Sequence, residues 1–201
     1  MDDYKDAIVA CCKQLRLSIN LVENAMIQTG ESHQEYLYNL LKNEIQYRKS
    51  TRVAKLINTA GFPLQHSFTA FDPSEVQFPA SVTVESLKAL DFYHAGNNLV
   101  MYGSTGTGKT MLSICIGMEA CKKGIPVKFF RTAALINQLS EAQERGTLSQ
   151  LHKRMDKAEI IKLDEFGYEP YNRTGSQLPF DYLSEIHEKK VIILNTNLAF
   201  S

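Results

Sequence analysis

The chain has 201 residues and a mass of 22.7 kDa, room for one α/β domain and a smaller appendage, and its 44% hydrophobic content is ordinary for a globular protein. Lysine plus arginine and aspartate plus glutamate are equal at 22 each, so net charge assigns no nucleic-acid, membrane or acidic partner and any charge argument has to be local. No apolar run approaches the ~20 residues that span a bilayer, and the acidic start Met1-Asp2-Asp3 lacks the basic region and apolar core of a signal peptide, which predicts a cytoplasmic protein without a membrane partner.

From about Asp3 to Thr29 the apolar residues Ala7, Ile8, Cys11, Cys12, Leu15, Ile19, Val22 and Met26 recur at helical spacing, and Gly30 ends the run. Ser32-His33-Gln34-Glu35 then reads as a capping box. It opens a second helix that carries Tyr36, Leu37, Leu40, Leu41, Ile45, Val53, Leu56 and Ile57 up to the stop Ala60-Gly61-Phe62-Pro63, either unbroken or interrupted near Ser50-Thr51. Residues 1–63 are therefore expected to form a small helical domain. On the second helix Arg48, Arg52 and Lys55 fall at i, i+4 and i+7, flanked by Lys42 and Lys49 and opposed only by Glu44. Such a stripe fits a solvated face or a set of phosphate-backbone contacts.

Residues 64–80 contain Pro73 and Pro79 and the turn signal Asp72-Pro73-Ser74, lack sustained periodicity, and read as a linker tacked down by Phe68, Phe71 and Phe78; packing suits these rings better than contact with an adenine. A short helix is expected around Val82 to Leu90. The apolar run 98–102 then leads into Gly103-Ser104-Thr105-Gly106-Thr107-Gly108-Lys109-Thr110, which satisfies every fixed position of the phosphate-loop pattern G-x-x-x-x-G-K-S/T. Side chains at Gly106 and Gly108 would obstruct backbone N–H groups that wrap a polyphosphate and the φ > 0 geometry they need. Lys109 offers a mobile charge to β- and γ-phosphates, Thr110 offers a hydroxyl to Mg2+, and a helix of good formers leaves the loop and stops at Lys122-Lys123-Gly124-Ile125-Pro126.

The pattern continues as strand 127–131, helix 133–145 with Leu135, Ile136, Leu139 and Ala142, and helix 148–157 with a charged, solvent-facing set His152, Lys153, Arg154 and Lys157. Next comes the strand Ile160-Ile161-Lys162-Leu163-Asp164-Glu165, whose closing acids can reach the phosphate loop: Asp164 toward the metal, Glu165 toward an attacking water. Lys162 is out of place in a central strand and must snorkel, pair with an acid or mark a relaxed constraint. A helix around 179–188 and the strand 191–194, which ends in Asn195-Thr196-Asn197 with amides suited to a γ-phosphate or a water, complete the run. Alternating strands and helices predict a parallel sheet flanked by helices over residues 81–201. The cysteines, Cys11, Cys12, Cys115 and Cys121, match neither a zinc site nor a disulfide framework and read as reduced packing thiols.

The loop GSTGTGKT, the runs YLYNLLKNEIQYRKSTRVAKLINTAGFP and IPVKFFRTAALINQLSEAQERGTLSQLHKR, the DEFGY after the third strand and the closing NTNLAFS together resemble the IstB-like ATPases that assist insertion-sequence transposition, kin of DnaC-type helicase loaders in the AAA+ superfamily. The resemblance covers nearly the whole chain. It implies a P-loop ATPase of AAA+ type that binds ATP and Mg2+, with residues 103–110 holding nucleotide, Lys109 and Glu165 catalytic, Thr110 and Asp164 at the metal, and Asn197 as a polar sensor. It further implies assembly side by side on DNA without sequence preference and direction of a transposase to its target, with Arg48, Arg52 and Lys55 as candidate DNA contacts. A helicase loader engaging a replicative helicase would use the same nucleotide site.

Two departures temper this expectation. Lys162 stands where the family pattern is apolar. The family also continues into a fifth strand and helices whose arginines complete a neighbour's site, so a chain closing at Ser201 is expected to be C-terminally truncated, to leave its first strand as an open edge, and to bind ATP with little turnover. A small-molecule P-loop kinase is disfavoured because Arg131, Arg145, Arg154 and Arg173 are never clustered as a lid would need.

Overall fold

The first helical run is broken where periodicity alone would carry it through. In a computed structural model, which describes residues 4–167, 182, 184, 186–187 and 189–198, helix α1 covers Lys5–Gln14 and helix α2 covers Ile19–Ile27. Between them Arg16 adopts φ 55°, the Leu17 N–H reaches back to Cys12 O at 2.7 Å, and the Arg16 N–H donates to Lys13 O at 3.2 Å, a left-handed helix ending without glycine. What holds the break is a carboxylate. Glu44, on helix α3 (His33–Ala60), is buried and accepts the Ser18 N–H at 2.9 Å, the Ser18 hydroxyl and the Arg48 Nε–H at 2.7 Å. Burial opposes its charge, but the Ser18 donors and the Arg48 guanidinium outweigh that and hold its carboxyl below the ordinary range.

The chain divides into two units, Met1–Lys55 and Leu56–Ser201, so the last turn of α3 belongs to the second, whereas the sequence suggested a boundary at Pro63. The core of the first unit is Cys12, Leu21, Val22 and Leu40; Leu37, Leu41 and Ile45, which share the helical periodicity, are exposed instead. Helix α3 is unbroken through Ser50-Thr51. Its cap is half a capping box: Ser32 Oγ accepts the Glu35 N–H at 3.1 Å, while the Glu35 carboxylate takes the Glu31 N–H at 2.9 Å.

In the second unit the stretch read as a linker contributes to the core. Phe68 and Phe71 are buried among Leu87, Leu90, Leu112 and Ile116, held by short 3-10 turns at Phe68–Ala70 and Pro73–Glu75. Helix α4 (Val84–Ala89) carries a full capping box of Thr83 and Ser86, and a further short helix, α5 (Asp91–His94), follows where only a lead-in to the strand was expected. Strands β1 (Leu99–Tyr102), β2 (Val127–Arg131), β3 (Ile160–Phe166) and β4 (Val191–Thr196) form a parallel sheet in the order β1-β4-β3-β2. Helix α6 (Lys109–Lys122) lies on the face bearing Leu99, Val127, Ile160 and Ile193. Helices α7 (Thr132–Glu144) and α8 (Leu148–Met155) lie on the face bearing Phe130, Ile161, Leu163 and Ile192, where Tyr182 and Ile186 also pack. The sheet is thus apolar on both faces, as parallel strands with crossover helices require. The rest of the helix expected around residues 179–188, Arg173 and residues 199–201 fall outside the described residues.

Gly117 in α6 is a close-approach position: a Cβ there would meet the Phe62 ring at 2.7 Å, and that ring packs edge-on against Phe129 with centroids 6.2 Å apart. Among the described residues no helix is long and apolar enough to cross a membrane.

Cys115 and Cys121 are fully buried thiols of α6 and Cys12 is buried in the first unit, while Cys11 is exposed. Burial, with Glu119 adding to it, pushes Cys115 from an ordinary value near 9 up to about 11, and burial does the same to Cys121. A folded-state pKa above the unfolded value gives stability that is complete below about pH 9 and is lost as the pH rises through about 11. Urea unfolding at pH 8 and pH 10 should show this decline, and the double variant Cys115→Ala/Cys121→Ala should show a shallower one; equal slopes would remove the thiols as its cause.

Candidate functional site

The site is built where the carboxyl ends of β1, β3 and β4 meet the start of α6, the place an open parallel sheet offers to a ligand. Strand β1 runs into the glycine-rich loop, where Gly106 and Gly108 have φ of 88° and 78°, the positive values predicted for them, and Gly103 has φ 144°. Added Cβ atoms would strain that backbone, although they would find only Thr107 Oγ1 at 3.6 Å from Gly103 and Phe71 Cε2 at 3.8 Å from Gly108. Lys109 folds back over the loop, and its Nζ donates to Gly103 O at 2.8 Å, Ser104 O at 2.7 Å and Thr107 Oγ1 at 3.3 Å. Burial lowers its pKa, with Asp164 working against that shift.

Facing the loop, Asp164 is buried at the end of β3. Thr110 Oγ1 lies 3.1 Å from its Oδ1 and 3.2 Å from its Oδ2, and Asn195 Nδ2 donates to Oδ1 at 2.9 Å. Asn195 also donates to Ser113 Oγ at 3.2 Å, while Ser113 donates to Thr110 O at 2.8 Å, which ties α6 to β4. Thr132 Oγ1 donates to Asp164 O at 2.7 Å and anchors the strand end from the side of α7. The Asn195 Oδ1 atom is buried without a hydrogen-bond partner among the described residues.

Lys162 resolves the oddity of its sequence position by pairing with an acid. It is fully buried in β3, an interior strand; its ammonium forms an ion pair with Asp164 Oδ1 and stands 4.4 Å from the centre of the Phe129 ring. Burial pushes its pKa down to about 8 even though Asp164, and more weakly Glu165, pull the other way.

Glu165 is exposed and has φ 57°, sparsely populated for a residue with a Cβ, at a register shift between Leu163 and Phe166. A cavity of about 300 Å³ brings Thr105 to Met111 together with Asp164, Glu165, Asn195 and Asn197. Asn197 Nδ2 stands 3.4 Å from Thr105 Oγ1. A second cavity of about 600 Å³ borders the loop on the β1 side, with Val76, Phe78, Met101, Tyr102 and Lys109 among its walls. Of the three linker phenylalanines, Phe68 and Phe71 are buried in the core and Phe78 lines this cavity.

Every sequence-derived candidate of the nucleotide site therefore borders one cavity, except Gly103 and Ser104, whose carbonyls hold Lys109. The candidates on α3 belong to the first unit, and among them Arg48 is tied to Glu44 and to Arg16 O. Missed from the sequence were Asn195, Ser113 and Thr132 as ligands of one another and of Asp164. Strand parity could have found Asn195, because it shares the face of Ile193 and hence that of α6.

Among known proteins, the putative ATP-binding protein of insertion sequence IS5376 from Geobacillus stearothermophilus is 28% identical over 201 residues, covering 98% of this chain and 80% of the relative. That of insertion sequence IS21 from Pseudomonas aeruginosa is 29% identical, covering 90% of this chain and 69% of the relative. Among solved structures, AMPPCP-bound DnaA from Aquifex aeolicus superimposes with a TM-score of 0.53 at 20% identity, over 69% of this chain and 44% of that one, a likeness of fold. Residues 12–201, which hold the phosphate loop, the acids of β3 and the amides after β4, match the family described as IstB-like ATP binding protein, and the chain belongs to that family.

Proposed function

We propose that the chain binds ATP with magnesium at the loop and hydrolyses it, and that it does so on DNA to assist a transposase. The observation that carries the nucleotide reading is the convergence of Lys109, Thr110, Asp164, Glu165 and Asn197 on one cavity. Phosphates replace the loop carbonyls as partners of the Lys109 ammonium, and the backbone N–H groups of residues 105–110 wrap them. The apolar cavity beside β1 suits a purine, with Phe78 on its wall.

Magnesium fits the donors. Thr110 Oγ1 and the Asp164 carboxylate approach one another, and among the described residues the Asn195 Oδ1 acceptor lacks a hydrogen-bond partner and no cluster of three or more His, Cys, Asp or Glu competes as a metal cage. An ion with so few protein ligands is held jointly with phosphates, as magnesium is. When bound, it neutralises charge on the β- and γ-phosphates. Glu165 orients the attacking water and accepts its proton, which its exposure and its turn out of the strand allow; Asn197 fixes the γ-phosphate or that water.

The family's insertion-sequence relatives support the transposition reading. A helicase loader would use the same nucleotide site, so the site's geometry does not favour that alternative. For DNA, the cations of α3 suit phosphates rather than base edges, so binding is not sequence-specific. Self-association side by side on DNA belongs to the same reading.

Lys109→Ala should weaken ATP binding by about 10- to 100-fold through loss of charge-assisted contacts. Calorimetry on the two proteins reads this, and equal affinity would rule the loop out as the site. Glu165→Gln should retain ATP while slowing hydrolysis by about 10²- to 10⁴-fold. Single-turnover assays decide it, and an unchanged rate would remove Glu165 as the base. Arg48 braces Glu44, so the DNA test leaves it intact: Arg52→Glu with Lys55→Glu should weaken DNA binding and lower the slope of log affinity against log salt by about 2. A variant that binds like the parent would return the stripe to a solvated face.

A further inference from the structure

We propose that Lys162 is a resident counter-cation of the metal site, a positioning residue whose ammonium holds Asp164 and thereby lowers the affinity of the site for the divalent cation that accompanies the nucleotide. The inference rests on the nucleotide reading above and concerns what that site demands of its metal.

Lys162 and Asp164 lie two residues apart on β3, so their side chains leave the same face of the sheet, the face covered by α6. Both are buried, and the side chains retain only 1% and 7% exposure, so water screens their attraction little. The ammonium pairs with Oδ1, the oxygen that also takes the Asn195 amide, and stands 4.4 Å from the centre of the Phe129 ring. Oδ2 receives only the Thr110 hydroxyl, at 3.2 Å, among the described residues. The Thr110 hydroxyl is within reach of both carboxylate oxygens, and the residue borders the cavity.

Charge decides the consequence. The cavity is bordered by Asp164 and Glu165 and by the Lys109 ammonium, and Lys162 adds a second positive charge in direct contact with the acid proposed to face the metal. Two acids against two lysines leave no net negative charge to attract a dication, whereas without Lys162 the same site carries one. The ammonium is buried, paired with the carboxylate and 4.4 Å from the centre of the Phe129 ring, so a metal ion arriving with nucleotide is opposed by a like charge that water does not screen. Phosphates then supply most of the metal's binding energy, and the protein alone binds the ion weakly.

The test is a titration of Mn2+ by electron paramagnetic resonance, with and without a non-hydrolysable ATP analogue, on the full chain and on Lys162→Met and Lys162→Gln. Met keeps the length and apolar stem; Gln keeps a donor for Asp164 without charge and serves if Met compromises folding, which thermal unfolding reports. Both neutral variants should bind Mn2+ at least about tenfold more tightly in the presence of analogue, while Lys162→Arg should match the parent. Unchanged or weaker Mn2+ affinity in the folded neutral variants, with analogue still bound in metal-free buffer, would overturn the inference and leave the nucleotide reading standing. Failure of the parent chain to bind analogue with or without metal would overturn the nucleotide reading, and this inference with it.

Discussion

The site depends on one buried carboxylate, Asp164, and on the partners the fold brings to it. Removing a carboxylate from water is costly unless partners replace the water, and here they arrive from different elements: hydrogen-bond donors Thr110 from the first turn of α6 and Asn195 from β4, and the ion-paired ammonium of Lys162 from β3 itself. Each donor fixes the element that carries it. Asn195 ties β4 to α6 through Ser113, and Thr132 ties the start of α7 to the Asp164 carbonyl. The carboxyl ends of the strands are thus held in register by the same network that holds the acid.

The neighbouring acid is treated in the opposite way. Regular pleating would send Glu165 to the face covered by α7 and α8, into the apolar cluster of Leu135, Leu139 and Leu163. The left-handed backbone at Glu165 and the register shift beside it turn it out of the strand instead, and it is exposed while Asp164 is buried. Such a conformation costs about 1–3 kcal/mol, which the surrounding pairing of β3 with β2 and β4 has to support. Adjacent acids thereby acquire different environments, one desolvated and multiply bonded, one open to solvent, a difference that suits the separate roles proposed for them.

Much of this was legible in the sequence, because its signals are local. Glycines that need φ > 0, a lysine and a threonine at fixed offsets, and acids closing an apolar strand all announce themselves within a few residues, and the parallel sheet follows from alternating periodicities. The breaks came from long-range contacts. Nothing near Arg16 announces a helix end; the break is held by Glu44, 26 residues beyond Ser18. Phe68 and Phe71, expected to pack although their stretch lacks periodicity, are core, since a ring needs only a neighbouring apolar surface to be buried and not a regular element around it. Asn195 was read as a strand-end amide, but its partners on Asp164 and Ser113 exist only once β4 lies between β1 and β3.

The two units show the same rule for placing charge. In each, a carboxylate is buried on an interior face and a cation is drawn to it: Glu44 takes Arg48 in the first and Asp164 takes Lys162 in the second. The outcome differs with burial. Arg48 keeps half its side chain in solvent, so Glu44 gains a partner whose own desolvation is small, and its carboxyl moves below the ordinary range. Lys162 has no such outlet, and the cost of its burial shows as a lowered pKa despite the acid beside it. A charged pair whose cation stays wet can serve as structure alone. A pair buried on both sides carries a desolvation cost that a packed apolar side chain would avoid, which is why the pair at the cavity lined by the phosphate loop bears on the proposed site and not only on the stability of the sheet.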